Sequence, residues 1–258
     1  AQSFVADSFS IPFVTTQVNY IGVLNLLEAV KNIPDYNPKF YQASTSEMFG
    51  KVKEIPQTET TPFNPKSPYG ISKLAAHFLV VNYRESYNMF ACSGILFNHE
   101  SPLRGEEFVT RKITKGVAEI YYDKRKFIEL GNLDSMRDWG HAEDYVKAMW
   151  LMLQQEQAED YIISTGVSYT IQQFVDYAFE TIGMKIHWVG EGINKIGLDD
   201  NNNVRVKVNP LFYRPSDVDF LLGKSEKALK KLNWSPKIDI ISLITEMVEK
   251  DLERIKLS

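Results

Sequence analysis

Two short polar stretches lie close together in the chain, Ala43-Ser44-Thr45-Ser46-Glu47 and Ser67-Pro68-Tyr69-Gly70-Ile71-Ser72-Lys73. Their side chains could move protons. Tyr69 and Lys73 are four residues apart, a spacing that puts a phenol and an ammonium on one helical face. A cation beside a phenol lowers its pKa from about 10, so that the tyrosinate can act as a base near neutral pH. A depressed Tyr69 pKa is therefore expected. Thr45 adds a hydrogen-bonding hydroxyl and Glu47 a second base, which makes Thr45, Glu47, Tyr69 and Lys73 the candidate catalytic residues. Tyr-x-x-x-Lys alone is a weak signal, because it arises by chance and recurs from Tyr122 to Lys126 with no polar strand end before it. The combination with Thr45 and Glu47 carries the argument.

Such groups need a strand end and a helix start to hold them. Phe40-Tyr41-Gln42-Ala43 is apolar and aromatic and breaks abruptly into hydroxyls and a carboxylate, as the carboxyl end of a buried parallel strand does. Ligands bind α/β sheets at that edge. Ser67-Pro68 reads as a cap followed by a first-turn proline, and Leu74, Phe78, Leu79 and Val81 continue the helix. Between them, residues 54–68 carry four prolines and form a long ordered loop. Met89 to Phe97 is a second apolar strand, running into the polar Asn98-His99-Glu100, where a lone His would more often lie at the surface.

The strings Ser-Thr-Ser-Glu (44–47) and Tyr-Gly-Ile-Ser-Lys (69–73) resemble the extended short-chain dehydrogenase/reductase family that acts on nucleotide sugars. Two longer stretches, Phe97 to Glu106 with Phe108 to Lys112, and Arg137-Asp138-Trp139-Gly140-His141, resemble its GDP-mannose 4,6-dehydratase branch over nearly the whole chain. The resemblance implies NADP as cofactor, with Gln2, Lys73, His99 and Arg104 as contacts, and GDP-mannose as substrate, with Asn98, Lys112, Arg137 and Arg214 as contacts. It implies transient oxidation at carbon 4, loss of water across carbons 5 and 6 and hydride return, on a route to GDP-deoxyhexoses of the GDP-fucose type. Epimerases of the family need no acid like Glu47, TDP-glucose dehydratases resemble Thr-Asp-Glu at 45–47, and decarboxylating relatives can share Thr-Ser-Glu, so the 98–106 string separates them. Phe4 departs from the family's usual His, and Asp217 after Arg214-Pro215 is a shorter acid than expected. The basic residues Arg111, Lys112 and Lys115 fit either a solvated helix face or a diphosphate site.

The composition is that of a globular chain: 258 residues, 44% hydrophobic, 24% charged and net charge −4, with nothing that asks for nucleic acid. One cysteine, Cys92, excludes an internal disulfide and reads as a buried small hydrophobe. No apolar run reaches the roughly 18 residues of a membrane span and the start lacks a signal pattern, so no membrane role and a cytoplasmic location are expected.

The alternation of strands and helices predicts an α/β fold, the carboxyl part of a doubly wound parallel Rossmann-type sheet with a second, smaller mixed α/β substrate domain. Residues 1–105 are assigned to the cofactor domain and 106–258 mainly to the substrate domain, with about 138–165 returning to the first sheet. Thr15 to Val30 reads as a helix whose inner face is Val18, Ile21, Leu24, Leu27 and Val30, residues 134–139 as a turn, and 190–209 as a loop. Further helices are expected at Phe108 to Tyr122, Ala142 to Leu153, Thr170 to Ile182, Ser225 to Leu232 and Ile240 to Ile255. No Gly-x-Gly-x-x-Gly loop occurs, and the resemblance places about two or three βαβ units before Ala1. Residues 1–258 alone are accordingly expected to be a truncated chain without turnover, or a remnant that only binds nucleotide, and the complete protein a homo-oligomer.

Overall fold

The structure, a computed structural model, describes residues 1–213 and 220–257. In chain order the helices are α1 (Asp7–Ser10), α2 (Pro12–Thr16), α3 (Gly22–Lys31), α4 (Pro68–Tyr87), α5 (Val109–Tyr121), α6 (Ala142–Gln154), α7 (Ile171–Glu180), α8 (Glu226–Leu232) and α9 (Ile240–Lys256). The strands are β1 (Phe40–Thr45), β2 (Ala91–Leu96), β3 (Asn98–Glu100), β4 (Ile128–Leu130), β5 (Met136–Arg137), β6 (Trp139–His141), β7 (Asp160–Ile163), β8 (Tyr169–Thr170), β9 (His187–Val189), β10 (Ile196–Leu198) and β11 (Val204–Val208).

Strands buried on both faces read as continuous apolar runs, and β2 is buried at every position. It lies between β1 and β7 in a parallel sheet, with Phe40 opposite Ala91 and Ser93 opposite Asp160. The pleat sends Cys92 and Leu96 to one side, against Tyr145, Ala148 and Met152 of α6 and Ala228 and Leu232 of α8. On the other side Ala91 meets Leu27, Val80 and Tyr83 of α3 and α4, while Ile95 packs with Met48, Phe49 and Phe97. Helices on both faces give the doubly wound arrangement.

Helix α4 starts where its sequence predicts. Ser67 has extended backbone and its hydroxyl accepts from the Gly70 N–H at 3.0 Å, Pro68 fills the first helical position, and the chain leaves through Asn88 in the left-handed region at φ +53°. Arg84 near its end makes a two-pronged ion pair with Asp160 at the start of β7, at 2.8 and 3.0 Å, fixing the helix to the sheet.

The segment before β1 differs from its periodic reading. The helix begins at Pro12, and a π-type turn at Gln17–Ile21 joins α2 to α3. One extra residue in that turn rotates the helix face, so Thr15 and Asn19 are buried while Val18 is 44% exposed; Leu27 is the fully buried residue of the expected stripe.

Two further expectations are corrected. Residues 190–209 are not one loop: β10 and β11 form a hairpin, inserted between β4 and β9 in the order β4-β11-β10-β9, with β11 parallel to β4 and the other pairings antiparallel. The Asn-rich turn at 201–203 obscures the alternating Val204-Arg205-Val206-Lys207-Val208, whose Val206 is wholly buried. Residues 134–139 are likewise not a bare turn. Met136–Arg137 pairs antiparallel with Tyr169–Thr170, and Trp139–His141 pairs parallel with Asn98–Glu100. Strands of two or three residues are too short for periodicity to register.

The mixed sheet is covered by α5, α7 and α9, which share one core containing Ile113, Val117, Phe174, Ala178, Leu243 and Met247. Thr170 caps α7 with a reciprocal bond to Gln173, as its sequence indicates. Inside this core Arg111 of α5 meets Asp251 of α9. Its Nε lies 2.9 Å from both carboxylate oxygens and its second guanidinium nitrogen 2.7 Å from Oδ1. Thr114 also donates to Asp251, at 2.8 Å. Removing one partner of a buried pair leaves an uncompensated charge, which costs about 3–5 kcal/mol. Asp251→Ala is therefore expected to lose stability in that range by urea unfolding. A loss of about 1 kcal/mol or less, typical of exposed pairs, would show that the pair is not desolvated.

Candidate active site

The carboxyl ends of β1 and β2 open into a cavity of about 620 Å³, within the size range of small-molecule sites. Thr45, Glu47, Tyr69, Lys73, Asn98, His99, Arg104, Lys112 and Arg137 all line it. β1 ends at Thr45, whose hydroxyl accepts from the Glu47 N–H at 3.2 Å and so caps the single 3-10 turn Ser46–Met48. The first turn of α4 rests against that turn. A Cβ on Gly70 would fall 2.8 Å from the Glu47 carbonyl oxygen and 3.1 Å from the Pro65 Cβ, so only glycine permits the approach that brings Tyr69 to Thr45.

The electrostatics correct the expected depression of the Tyr69 pKa. Burial pushes the phenol up to about 12, against a side-chain hydrogen bond with Thr45 that lowers it; Glu47 adds to the rise and Arg104 opposes it. Desolvation acts on the charged form of either sign. The same burial lowers Lys73, only 5% exposed, to about 8. The Thr45 oxygen already accepts from the backbone, so its own O–H remains to donate to the phenol oxygen.

His99 is half-buried in the cavity wall. Its ring is stacked on Tyr145 and its Nδ1 lies 2.9 Å from the Phe97 carbonyl; burial holds its pKa below the usual range. Arg104 sits 3.5 Å above the Phe108 ring, with Nε 3.0 Å from the Glu100 carboxylate. Glu100 is 2% exposed and accepts from Thr110 at 2.8 Å; burial raises its pKa, with Arg104 and Thr110 opposing. Lys112 Nζ stands 3.4 Å from the centroid of Phe212. Arg137 is buried at the wall and donates to the Met136 carbonyl at 2.9 Å.

Three residues of the sequence reading, Gln2, Arg111 and Lys115, fall outside the lining. The Gln2 side chain is not in the lining: Nε2 donates to the Phe4 carbonyl and Oε1 accepts from Thr15, because the backbone N–H and C=O of Gln2 are both clamped by Asn19. Arg111 is committed to Asp251 and to the carbonyls of Pro102 and Arg104, at 3.0 and 2.9 Å, which removes it as a diphosphate ligand. Lys115 pairs with Glu106 at 2.5 Å. Arg214 lies outside the described residues.

Phe4, noted in the sequence as a departure from the family's His, lines the cavity edge-on to Phe108 at 5.4 Å. Sequence reasoning missed Phe212, Ser135 and Trp139, which complete the wall. Isolated aromatic residues carry no positional signal. Ser44 also lines the cavity, 3.0 Å from Nδ1 of the buried His77, and here the i+4 spacing of His77 from Lys73 was a usable cue. Among the described residues no group of three or more His, Cys, Asp or Glu could hold a metal ion, and no helix is long and apolar enough to cross a membrane.

The model of the family described as GDP-mannose 4,6 dehydratase matches residues 1–247. The chain belongs to the GDP-mannose 4,6 dehydratase family. It is 51% identical over 255 residues to the GDP-mannose 4,6 dehydratase of Drosophila melanogaster, covering 98% of this chain and 65% of that protein. To the Homo sapiens protein of that name it is 53% identical over 255 residues, covering 98% and 68%. The chain thus spans about two thirds of the length of the curated relatives it matches. Among solved structures, RMD from Pseudomonas aeruginosa complexed with NADPH superposes with a TM-score of 0.82 at 22% identity, covering 98% of this chain and 80% of that one. UDP-glucose 4-epimerase of Thermotoga maritima with UDP-glucose gives 0.81 at 25% identity, covering 100% and 76%. GDP-mannose 4,6 dehydratase family membership and the α/β fold therefore agree.

The Lys73 pKa makes a stability prediction. An ammonium with a folded pKa of about 8 against the ordinary 10.5 destabilises the fold fully below about pH 8, progressively less from there to 10.5, and not above. Lys73→Met should be more stable than wild type at pH 7, by on the order of 3 kcal/mol at most. Chemical unfolding across that pH window should find the difference shrinking as pH rises; a pH-independent difference would contradict the depressed pKa.

Proposed function

We propose that the protein is a lyase that converts GDP-mannose to GDP-4-keto-6-deoxymannose with NADP as cofactor, an early step toward GDP-deoxyhexoses of the fucose type. The observation that carries this reading is the Tyr69 phenol, hydrogen bonded to Thr45 and within electrostatic reach of both Glu47 and Arg104, on one cavity wall with Lys73 a helical turn away. Family membership over residues 1–247 supports the choice of substrate.

The lining suits the cofactor by its chemistry. Buried Lys73, the His99 ring and Arg104 offer donors and acceptors for a ribose, an amide and a phosphate, and would hold NADP; Asn98, Lys112 and Arg137 would take the nucleotide diphosphate of the substrate. When bound, NADP supplies the acceptor and later the donor of one hydride.

The chain's own residues handle the protons. Tyr69 removes the proton from the hydroxyl on carbon 4, drawn toward its anionic form by Thr45 and Arg104 against the burial that opposes it. The ketone at carbon 4 acidifies the hydrogen on carbon 5. Glu47 takes that proton, and the Thr45 O–H stabilises negative charge developing on the carbonyl oxygen. The hydroxyl of carbon 6 leaves with the proton from Glu47 as water. The proton that Tyr69 took from the carbon-4 hydroxyl passes to carbon 5 as carbon 6 gains the hydride that bound NADP would give back, and the sugar has lost water without net oxidation.

Two measurements on the complete protein test this. Glu47→Gln should lower kcat by about a hundredfold to ten-thousandfold, the usual loss for a general base. With substrate deuterated at carbon 5, this variant should release the label and form 6-deoxy sugar only at that lowered rate; release of deuterium at the wild-type rate would remove Glu47 as the base. Calorimetry should find GDP binding more tightly than UDP or TDP, and equal affinities would remove the case for GDP-mannose.

A further inference from the structure

We infer that Tyr145 is a positioning residue for the cofactor site, its ring serving as a flat platform that fixes the plane of the His99 imidazole, and that Gly140 is glycine to make room for it. The inference rests on the reading of His99 as a cofactor contact.

The two rings are 5.0 Å apart between centroids and inclined by 22°, an offset stack. The other restraint on the imidazole is the Phe97 carbonyl at 2.9 Å from Nδ1. A carbonyl only accepts, so Nδ1 carries the hydrogen, and the neutral ring is left with Nε2 as a pure acceptor. Stacking resists tilting and the Nδ1 bond resists rotation. His99 thereby offers an oriented acceptor at the cavity wall, suited to a ligand amide or hydroxyl donor.

The platform is itself held. Tyr145 is fully buried on α6, and Trp234 stands edge-on to it at 6.0 Å, anchored by its Nε1 donating to the Asp144 carbonyl at 2.8 Å. On the remaining side is Gly140, directly opposite His99 in the β3–β6 register. A Cβ there would lie 2.4 Å from Cε2 of the buried Tyr145 and 3.0 Å from Thr165 Cγ2. The Tyr145 hydroxyl is buried with no hydrogen-bond partner among the described residues. The ring is therefore the working part of the side chain, and the hydroxyl is dispensable.

The test is NADPH titration of the complete protein, followed by nucleotide fluorescence, with Tyr145→Leu, Tyr145→Phe, His99→Ala and the double variant His99→Ala/Tyr145→Leu. His99→Ala and Tyr145→Leu are each expected to weaken binding about tenfold or more. Tyr145→Phe should bind like wild type, and the double variant no more weakly than His99→Ala, because the platform acts only through the imidazole. Wild-type affinity in Tyr145→Leu, or additive losses in the double variant, would overturn the platform while leaving His99 as a contact. A Tyr145→Phe defect equal to that of Tyr145→Leu would overturn it in favour of the hydroxyl. Unchanged affinity in His99→Ala would overturn the contact and the platform together. Should Tyr145→Leu lose cooperative melting, wild-type NMR decides: the His99 carbon-bound protons, assigned by their absence in His99→Ala, must be shifted upfield by the Tyr145 ring current, and unshifted resonances overturn the stack.

Discussion

The contact between the first turn of α4 and the end of β1 sets the geometry of the cavity. Gly70 lies against the Glu47 carbonyl, Ser67 caps the helix, and Thr45 caps the short turn that carries Glu47. Three local backbone requirements are met at one place. A Cβ at 70 would separate the helix from the strand and move Tyr69 away from Thr45, although neither residue had changed. The Arg84–Asp160 pair at the far end of the same helix holds its other end to the sheet, so the position of Tyr69 is determined from both termini of α4.

Burial controls the charges within that geometry. Tyr69 and Glu100 are pushed up and Lys73 and His99 pushed down, in each case with desolvation as the first cause. Each group is driven toward its neutral form. The counteracting influences are specific and few: Thr45 and Arg104 on Tyr69, Arg104 and Thr110 on Glu100, and the Phe97 carbonyl on His99. Burial at this wall penalises a charge of either sign, while a hydrogen bond or opposite charge placed directly against it counts for more than in water, because screening is weak there. Forming the tyrosinate works against this burial, so the hydrogen bond from Thr45 and the charge of Arg104 are what favour it.

What the sequence made legible follows from how local each signal is. The α4 cap, the polar end of β1 and the Thr170 capping box are written in three or four consecutive residues, and they stand where expected. The sign of the Tyr69 shift was not legible, since spacing reveals that Lys73 is near but not that both side chains lie below the surface. Arg111 and Lys112 are adjacent and equally basic in sequence. Only the packing of α9 against α5 separates them, giving Arg111 to Asp251 and leaving Lys112 on the cavity. The β10–β11 hairpin was hidden by its asparagine turn, and β5, β6 and β8 by strands too short to have a period. Gln2 was read from a string rather than from the Asn19 bonds that turn its backbone.

One side chain ties the core of α5, α7 and α9 to the cavity wall. Arg111 belongs to the core of α5, α7 and α9 through Asp251, yet its other guanidinium nitrogen holds the carbonyls of Pro102 and Arg104. Arg254 of α9 donates to the same Pro102 carbonyl at 2.8 Å. The loop from 101 to 108 is therefore shaped from the core of α5, α7 and α9, while its leading strand β3 runs on from the end of β2. Arg104, stacked on Phe108 with Phe4 edge-on beyond it, stands where these two sources of rigidity converge. A buried ion pair far from the chemistry thus acts on the cavity through backbone carbonyls: loosening α9 would shift Arg104 relative to Tyr69, and with it one of the two influences that favour the tyrosinate.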